Sequence, residues 1–516
     1  MKKIITSILL IIFSFVILTL SIRGIAGNPS DATINEPYWK DNGPLELSPE
    51  RGKFALTYSF VEDNSVHFSV PIAKFSTPDL GYSKGNYVSL FAPGVAYITI
   101  PGYIIGKEFG SSQVGTYAVI ALFAIMNAAL INLILLRLGV RSILSAISSI
   151  IFLFATPAFA YAVSLYQHHI STFIILLSVY LLQRFKGIWP LVIIWFILAI
   201  SLAVDNPNLF MVFPIGIYAL GRVVYAKIDQ NKVKVGVKTL AVLTLVTALV
   251  PLLLFGWFNK ISYGDAMRLG GTVASVKEID EQGKPAAPKN TGTTNVAQFI
   301  NPDQQKKSAL RFFKTRNILN GFYIHFISPD RGIIYFTPVI LLGFIGMFYF
   351  YRKDSGLTSL LIAIMGTNIL LYSMWGDAWG GWAFGSRYLV PSYAILAIFL
   401  GVALNRFHRN IIFILVFLSL FVYSAAINTV GAITSNRNPP QVEVLGLEQL
   451  TGKQEKYTYE RNFDMLGINQ SKSFVFNTTV NKYFTAWEYY YFLTGLIILS
   501  VALPLITLNA LDWRRK

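Results

Sequence analysis

The chain has 516 residues, 54% of them hydrophobic and 13% charged, with a mean hydropathy of +0.53, too little charge to cover the surface of a soluble protein of this size. It contains no cysteine, which excludes disulfide frameworks, thiolate nucleophiles and cysteine-ligated metals. The net charge of +17 comes without a Lys/Arg run interleaved with aromatics, so it points to anionic lipid and to basic cytoplasmic loops rather than to nucleic acid.

Residues 1–22 open Met-Lys-Lys and continue as an apolar run from Ile4 to Ile22. The run is longer than a usual signal core and lacks a clear small-x-small cleavage site, which predicts an uncleaved first span. Segment 23–113 follows and is rich in acids: Asp31, Glu36, Asp41, Glu46, Glu50, Glu62, Asp63 and Asp79. Within it ERGKFALTYSFVED (50–63) reads as an amphipathic stretch able to lie on the membrane. Residues 90–106 are apolar but interrupted by Pro93, Gly94, Pro101, Gly102 and Gly106, which predicts an interfacial or re-entrant piece.

Further spans are expected at 114–136, 143–164, 166–182, 188–204, 209–226, 239–258, 333–351, 357–375, 388–404, 411–430 and 488–509. With the first, this makes an all-α polytopic bundle of about 12 transmembrane helices. Between them lie two more large loops, 259–332 and 431–487. The polar stretch 270–308 reads as a mobile loop, and 431–487, with sequons at Asn469 and Asn477, as a small cap. Charge orients the bundle. Arg137, Arg141, Arg184, Lys186, Arg222, Lys353, Arg406 and Arg409 fall in loops of one side, and the short loops of the other side hold only Arg387. Both termini are therefore expected in the cytoplasm and the three large loops outside.

Candidate chemistry gathers on that outer side. Glu50 and Asp79 are carboxylates beside apolar segments, where proton affinity rises in a way that suits a general base. His168 and His169 lie at the mouth of a span; adjacent positions on a helix point about 100° apart, so they make a poor metal pair and a better polar contact for a phosphate or sugar. Asp205-Asn206-Pro207-Asn208 is a short turn on the same side. WGDAWGGWAFGSRY (375–388) packs three tryptophans, four glycines, Asp377 and Arg387 into one loop. Glycine permits close backbone approach and arginine grips phosphate with a planar fork. Asp330 and Arg331 stand at the mouth of another span. A lipid-phosphate substrate fits this set. A transporter or lipid flippase is the competing class, but it calls for ionisable residues at mid-span, and the span interiors are nearly free of charge.

The order of segments resembles the GT-C superfamily of polyprenyl-phosphate-dependent glycosyltransferases, of the protein-mannosyltransferase and aminoarabinose-transferase type. The resemblance rests on a single first span, a long acidic loop ending in the aromatic and Pro-Gly segment Tyr82 to Gly94, then YQHH (166–169), SPDRGIIYFTP (328–338) and WGGWAFGSRYLVP (379–391). It covers residues 1–430, read as the catalytic module, and leaves 431–516 as a loop or cap with a final span. It implies an inverting transfer on the outer face of a cell membrane, from a polyprenyl-phosphate sugar donor to a lipid, glycan or protein hydroxyl; the residues themselves single out no metal-ligand set. A first-loop carboxylate, Glu50 ahead of Asp79, would be the base. Arg387, Arg331, His168, His169, Asp377 and Tyr82 would bind phosphate or sugar. Two departures stand out. Glu50-Arg51 replaces the family's Asp-Glu pair, and Phe91-Ala92 stands where many relatives have a lysine before the Pro-Gly turn.

Overall fold

The computed structural model describes residues 2–229, 232–286 and 312–513. In chain order its principal elements begin with α1 (Lys2–Ser21), α2 (Ser48–Val61), the strands β1 (Leu80–Ser83) and β2 (Asn86–Ser89), α3 (Gly94–Glu108), α4 (Ser112–Arg137) and α5 (Ser142–Phe154). Then come α6 (His168–Arg184), α7 (Trp189–Val204), α8 (Asn208–Leu220), the hairpin β3 (Val224–Asp229) and β4 (Lys232–Val237), α9 (Thr239–Tyr263) and β5 (Ala274–Val276). The chain ends with α10 (Pro338–Tyr351), α11 (Ser355–Ser373), α12 (Arg387–Phe407), α13 (Ile411–Ile433) and α14 (Ala486–Leu511).

Helices dominate because a chain this apolar must satisfy its backbone within each segment. Among the described residues, α1, α4, α9, α11, α12, α13 and α14 are the seven helices long and apolar enough to cross a membrane. The chain is thus a multi-pass membrane protein in its helix content. Four further apolar helices, α5, α7, α8 and α10, are shorter, and α6 has 17 residues. Local breaks account for part of the difference from a uniform set of long spans. The expected span 143–164 stops at Phe154, turns through Pro157 and resumes as the short helix Ala158–Ala162. Proline offers no amide hydrogen and disfavours helical geometry in the residue before it. The expected span 209–226 ends at Leu220, and the chain then pairs Val224 with Val237 in the antiparallel β3–β4 hairpin.

Residues 90–106 largely become α3, a 15-residue helix with Pro101 inside, shorter than the roughly 20 residues a span requires. It packs on α4 backbone to backbone. A Cβ on Gly102 would meet the Gly115 carbonyl at 2.3 Å, and one on Gly115 would meet the Gly102 carbonyl at 1.9 Å. Only glycine permits this approach.

The stretch 50–63 does not lie on a surface. α2 is enclosed on every side from Gly52 to Ser59. Its burial comes from α3, the first large loop and the neighbouring turns, contacts distant in sequence. The 270–308 stretch is ordered where β5 joins β1 in the sheet order β2-β1-β5; residues 287–308 of it lie outside the described residues. Segment 431–487 carries the short helices Gln441–Thr451, Glu460–Gly467 and Phe474–Thr478.

A buried clasp joins the two ends of the chain. The wholly buried Arg23 pairs with Glu46 at 3.3 Å and donates to the carbonyls of Gly431 (2.7 Å) and Ala432 (3.1 Å) and to Asn436 Oδ1 (3.1 Å). Beside it, the Gly24 amide donates to Lys472 O at 3.2 Å and the Phe474 amide to Ile22 O at 2.7 Å. These contacts cross residue 430.

Candidate active site

The large loops meet over a cavity of about 380 Å3 at one end of the bundle. Four elements bring charged or polar groups to it. α2 supplies Lys53. The turn between α7 and α8 supplies Asp205 and Asn206. The segment before α6 supplies Tyr166 and Gln167, and the start of α12 supplies Arg387 and Tyr388. Phe210, Phe312, Phe313 and Trp375 form an aromatic wall, with Phe312 stacked on Trp375 at 5.4 Å.

Each element is set by local sequence. α2 begins Ser-Pro-Glu, with proline in the first turn and the Glu50 carboxylate reaching back to accept the Leu47 amide at 3.2 Å. That start fixes the rotation of α2 and puts Lys53 one turn on. Its ammonium lies 4.4 Å from the Phe91 ring centre and 5.3 Å from that of Tyr166, and donates to Pro49 O at 3.1 Å. Only 4% of Lys53 is exposed. Burial brings its ammonium down to about 8, against the opposing pull of Asp205.

Arg387 is 8% exposed. Its guanidinium sits 5.0 Å from the Tyr166 ring centre and 5.4 Å from that of Tyr388, and Nη2 donates to Gly380 O at 2.7 Å. Nε and Nη1 are buried with no hydrogen-bond partner among the described residues. Two buried cations thus flank the Tyr166 ring, and donors with no partner in such a place ask for an anion. Asp205, half-buried in the cavity wall, accepts from Gln167 Nε2 at 3.0 Å. Burial raises its carboxyl above the ordinary aspartate range, with Gln167 and Lys53 opposing.

Next to the cavity lies a more apolar hollow of about 420 Å3, lined by Pro93, Tyr97, Ile98, Val204, Leu254 and Phe258 among others. The two adjoin along the chain: Phe91 lines one and Pro93 the other, and Asp205 lines one and Val204 the other. Gly94 is required at the junction, since a Cβ there would meet Ala203 O at 2.5 Å.

Of the residues singled out in the sequence, Arg387 and the turn residues Asp205, Asn206 and Pro207 line the cavity. Glu50 does not line it. It is wholly buried one turn before Lys53, and its Oε1 has no hydrogen-bond partner among the described residues. Burial, then repulsion from Glu46, pushes its carboxyl up to about 7. Asp79 is also outside the cavity; it accepts from Ser48 Oγ at 2.6 Å and ties the start of α2 to the strand that follows. Tyr82 sits in β1 and packs on Tyr87 at 5.3 Å.

His168 stacks on Tyr166 at 5.7 Å and meets Tyr388 edge-on at 6.2 Å, behind the cavity wall, with Nε2 unpartnered among the described residues. His169 faces the other way. Its Nε2 is 2.8 Å from Ala158 O and its Nδ1 is 3.3 Å from Asn127 Nδ2, so it bridges helices. Arg331 is wholly buried and donates to the carbonyls of Asp330, Trp379, Gly381 and Asn438. Asp377 accepts the amides of Gly380 (3.2 Å) and Gly381 (2.6 Å). Arg331 and Asp377 therefore shape the loop whose Gly380 carbonyl orients Arg387.

Lys53 is the site residue that sequence reasoning passed over. Its ammonium hovers over Phe91, in the neighbourhood where the family resemblance leads one to look for a lysine before the Pro-Gly turn. The cation is present but arrives from α2. Its signal was a lysine one turn after Glu50 and directly before a stretch able to bury itself, FALTYSF (54–60).

The chain matches no family model and no curated protein. Among solved structures it is similar to ArnT from Cupriavidus metallidurans in the apo state, with 13% identity and a TM-score of 0.46 over 96% of this chain and 76% of that one. ArnT bound to undecaprenyl phosphate gives 11% identity and a TM-score of 0.45 over the same shares. The archaeal oligosaccharyltransferase AglB from Archaeoglobus fulgidus, in complex with an inhibitory peptide and a dolichol-phosphate, gives 14% identity and a TM-score of 0.44 over 97% of this chain and 56% of that one. Likenesses this distant assign no activity, and the cavity's own chemistry has to carry the functional reading.

Proposed function

We propose that the chain is a multi-pass membrane glycosyltransferase that moves a sugar from a polyprenyl-phosphate donor to an acceptor hydroxyl, with both termini cytoplasmic and the cavity on the outer face. One observation carries this reading. Buried Lys53 and Arg387 converge on Tyr166 in a cavity that also holds the half-buried Asp205 and adjoins an apolar hollow. Paired cations suit a phosphate, the apolar hollow suits the first units of a lipid chain, and the aromatic wall suits the apolar face of a sugar.

In the proposed reaction the acceptor oxygen attacks the anomeric carbon from the side opposite the lipid phosphate. The bond from that carbon to the phosphate oxygen breaks, and inversion results. The acceptor proton passes to a carboxylate. Asp205 is the carboxylate that lines the cavity, and we assign it the base role; Glu50, one turn behind Lys53, is the reserve. The leaving polyprenyl phosphate gains negative charge, which Lys53 and Arg387 stabilise in a site shielded from bulk water. His168 backs the Tyr166 and Tyr388 rings that hold Arg387.

The test is transfer by the purified chain from a labelled polyprenyl-phosphate sugar. Arg387→Lys keeps the charge and loses the fork, so transfer should fall sharply while the melting curve stays in place. Full transfer by that variant, or no donor binding by the parent chain, overturns the reading.

A further inference from the structure

Gln167 stands in the wall of the transfer cavity, immediately before α6, and donates from Nε2 to Asp205 Oδ2 at 3.0 Å. The bond joins two parts of the chain, and both are pinned. The Gln167 carbonyl accepts the Ser171 amide at 2.9 Å, and its neighbours Tyr166 and His168 stack with their rings 12° from parallel. Across the bond, the Asp205 amide donates to Ser201 O at 3.1 Å, closing α7. The Asp205 carbonyl accepts the Asn208 amide at 3.0 Å, opening α8. Asn208 ties the two parts together: its buried Nδ2 donates to Ser171 Oγ at 3.0 Å and to Ser201 O at 2.9 Å. Ser171 lies one turn after Gln167 and Ser201 one turn before Asp205, so carboxamide and carboxylate meet at a fixed separation.

The direction of the Gln167 carboxamide follows from its partner. An ionised carboxylate only accepts hydrogen bonds, so the amide turns its nitrogen to Asp205 and its oxygen away. Oε1 is then buried with no hydrogen-bond partner among the described residues. Leaving a buried carbonyl without a donor is unfavourable, and the bond to a charged acceptor offsets it. Gln167 engages Oδ2, while Oδ1 has no side-chain donor among the described residues.

A neutral donor is the partner a base needs. A cation bonded to Asp205 would favour the charged carboxylate so strongly that it accepted a proton poorly. An amide orients the carboxylate without cancelling its charge. The other groups that face Asp205 among the described residues are Lys53 from α2, Tyr372 from α11, Arg387 and Tyr388 from the start of α12, and the Asn206 amide. Of the influences that hold its carboxyl down against burial, the Gln167 bond is the foremost.

We propose that Gln167 is a positioning residue of the transfer site, holding the Asp205 carboxylate through Oδ2 so that Oδ1 meets the acceptor hydroxyl. The inference rests on the transferase reading and on Asp205 as its base. In the transfer step the acceptor O–H bond breaks and its proton goes to Oδ1. The electron pair left on the acceptor oxygen forms the bond to the anomeric carbon, and the pair of the broken bond leaves with the lipid phosphate. Gln167 acts in this step through Asp205.

Gln167→Met keeps the length and removes the donor, and Gln167→Glu keeps the shape and sets a second carboxyl against the first. The purified full chain and both variants are assayed for transfer from a labelled polyprenyl-phosphate sugar across pH. The acid limb of kcat marks protonation of Asp205 and should vanish in Asp205→Asn. It should move up by about one pH unit in Gln167→Met, and further in Gln167→Glu, where two carboxyls share a proton. Plateau turnover should fall about tenfold, with the donor KM within about twofold of the parent. An unmoved limb in a folded variant overturns the proposal, as does a limb that survives in Asp205→Asn. Either variant suffices if the other fails to fold. The infrared carboxyl band that Asp205→Asn removes is titrated in the same proteins and needs no turnover. An unmoved band overturns the hold of Gln167 on Asp205; a moved band in a chain that transfers nothing supports that hold and overturns the transferase reading.

Discussion

Lys53 has a proton equilibrium that makes its role measurable. With its ammonium brought down to about 8, it is charged below that pH and neutral above it. Donor binding to the free enzyme should therefore weaken as pH rises through about 8, and kcat/KM for the donor should show an alkaline limb there. Lys53→Arg stays charged and should move that limb to higher pH; an unmoved limb would assign it to another group. Asp205 is tested by removing charge at nearly constant shape. Asp205→Asn should keep donor binding and lower turnover by roughly 10²–10⁴-fold, whereas Glu50→Gln should turn over nearly as the parent does. The reverse pattern returns the base role to Glu50. Glu50 makes a separate prediction about stability. Its folded carboxyl holds a proton up to about 7, while an unfolded one releases it near 4.3. Between those values the native state binds more protons, so its stability contribution is present at low pH and is lost as pH rises. Glu50→Gln removes this slope, and apparent melting temperatures from pH 5 to pH 8 should diverge from the parent at the alkaline end. Parallel curves would mean that the buried carboxyl ionises without cost.

At the scale of elements, α2 is a wall that sets the cavity. A Cβ on Gly52 would come within 2.6 Å of the Phe91 ring, the ring beneath the Lys53 ammonium. Gly52→Ala should displace that ring and raise the donor KM several-fold with a smaller effect on kcat; a KM unchanged within error would detach Phe91 from phosphate binding. The long helices were legible as apolar runs because a bilayer imposes one length on them. What escaped was whatever depends on contacts distant in sequence. Apolarity along 143–164 gives no sign of where Pro157 will end the helix, and the strands after Leu220 compete with a helix of similar hydropathy. Lys53 escaped the sequence reading because its burial comes from Phe91 and Tyr166, each from another element. Arg387 was legible because a lone arginine among glycines has few local explanations. Asp377 and Arg331, next to it in motif, shape the backbone instead, and only the pattern of carbonyls around Arg331 distinguishes the two jobs.

For the molecule as a whole, the charge pattern predicts that the proposed transfer cavity faces the outside. The natural absence of cysteine makes this direct to test: Asp280→Cys should react with an impermeant maleimide added to intact cells, and reaction only after the membrane is opened would invert the topology. The Arg23 clasp carries a different consequence, in the order of synthesis. Every residue lining the cavity lies before residue 389, yet the first loop is anchored through Arg23 to Gly431, Ala432 and Asn436, and through Gly24 to Lys472. While the chain emerges from the ribosome, those carbonyls do not yet exist, and a buried arginine without its partners is strongly unfavourable. The first loop must wait, its acidic and aromatic segments unanchored, until nearly the last span has been made. A chain that ends at residue 430 would contain every proposed catalytic group and still be inert, and supplying residues 431–516 as a separate polypeptide in the same membrane would be the way to wake it.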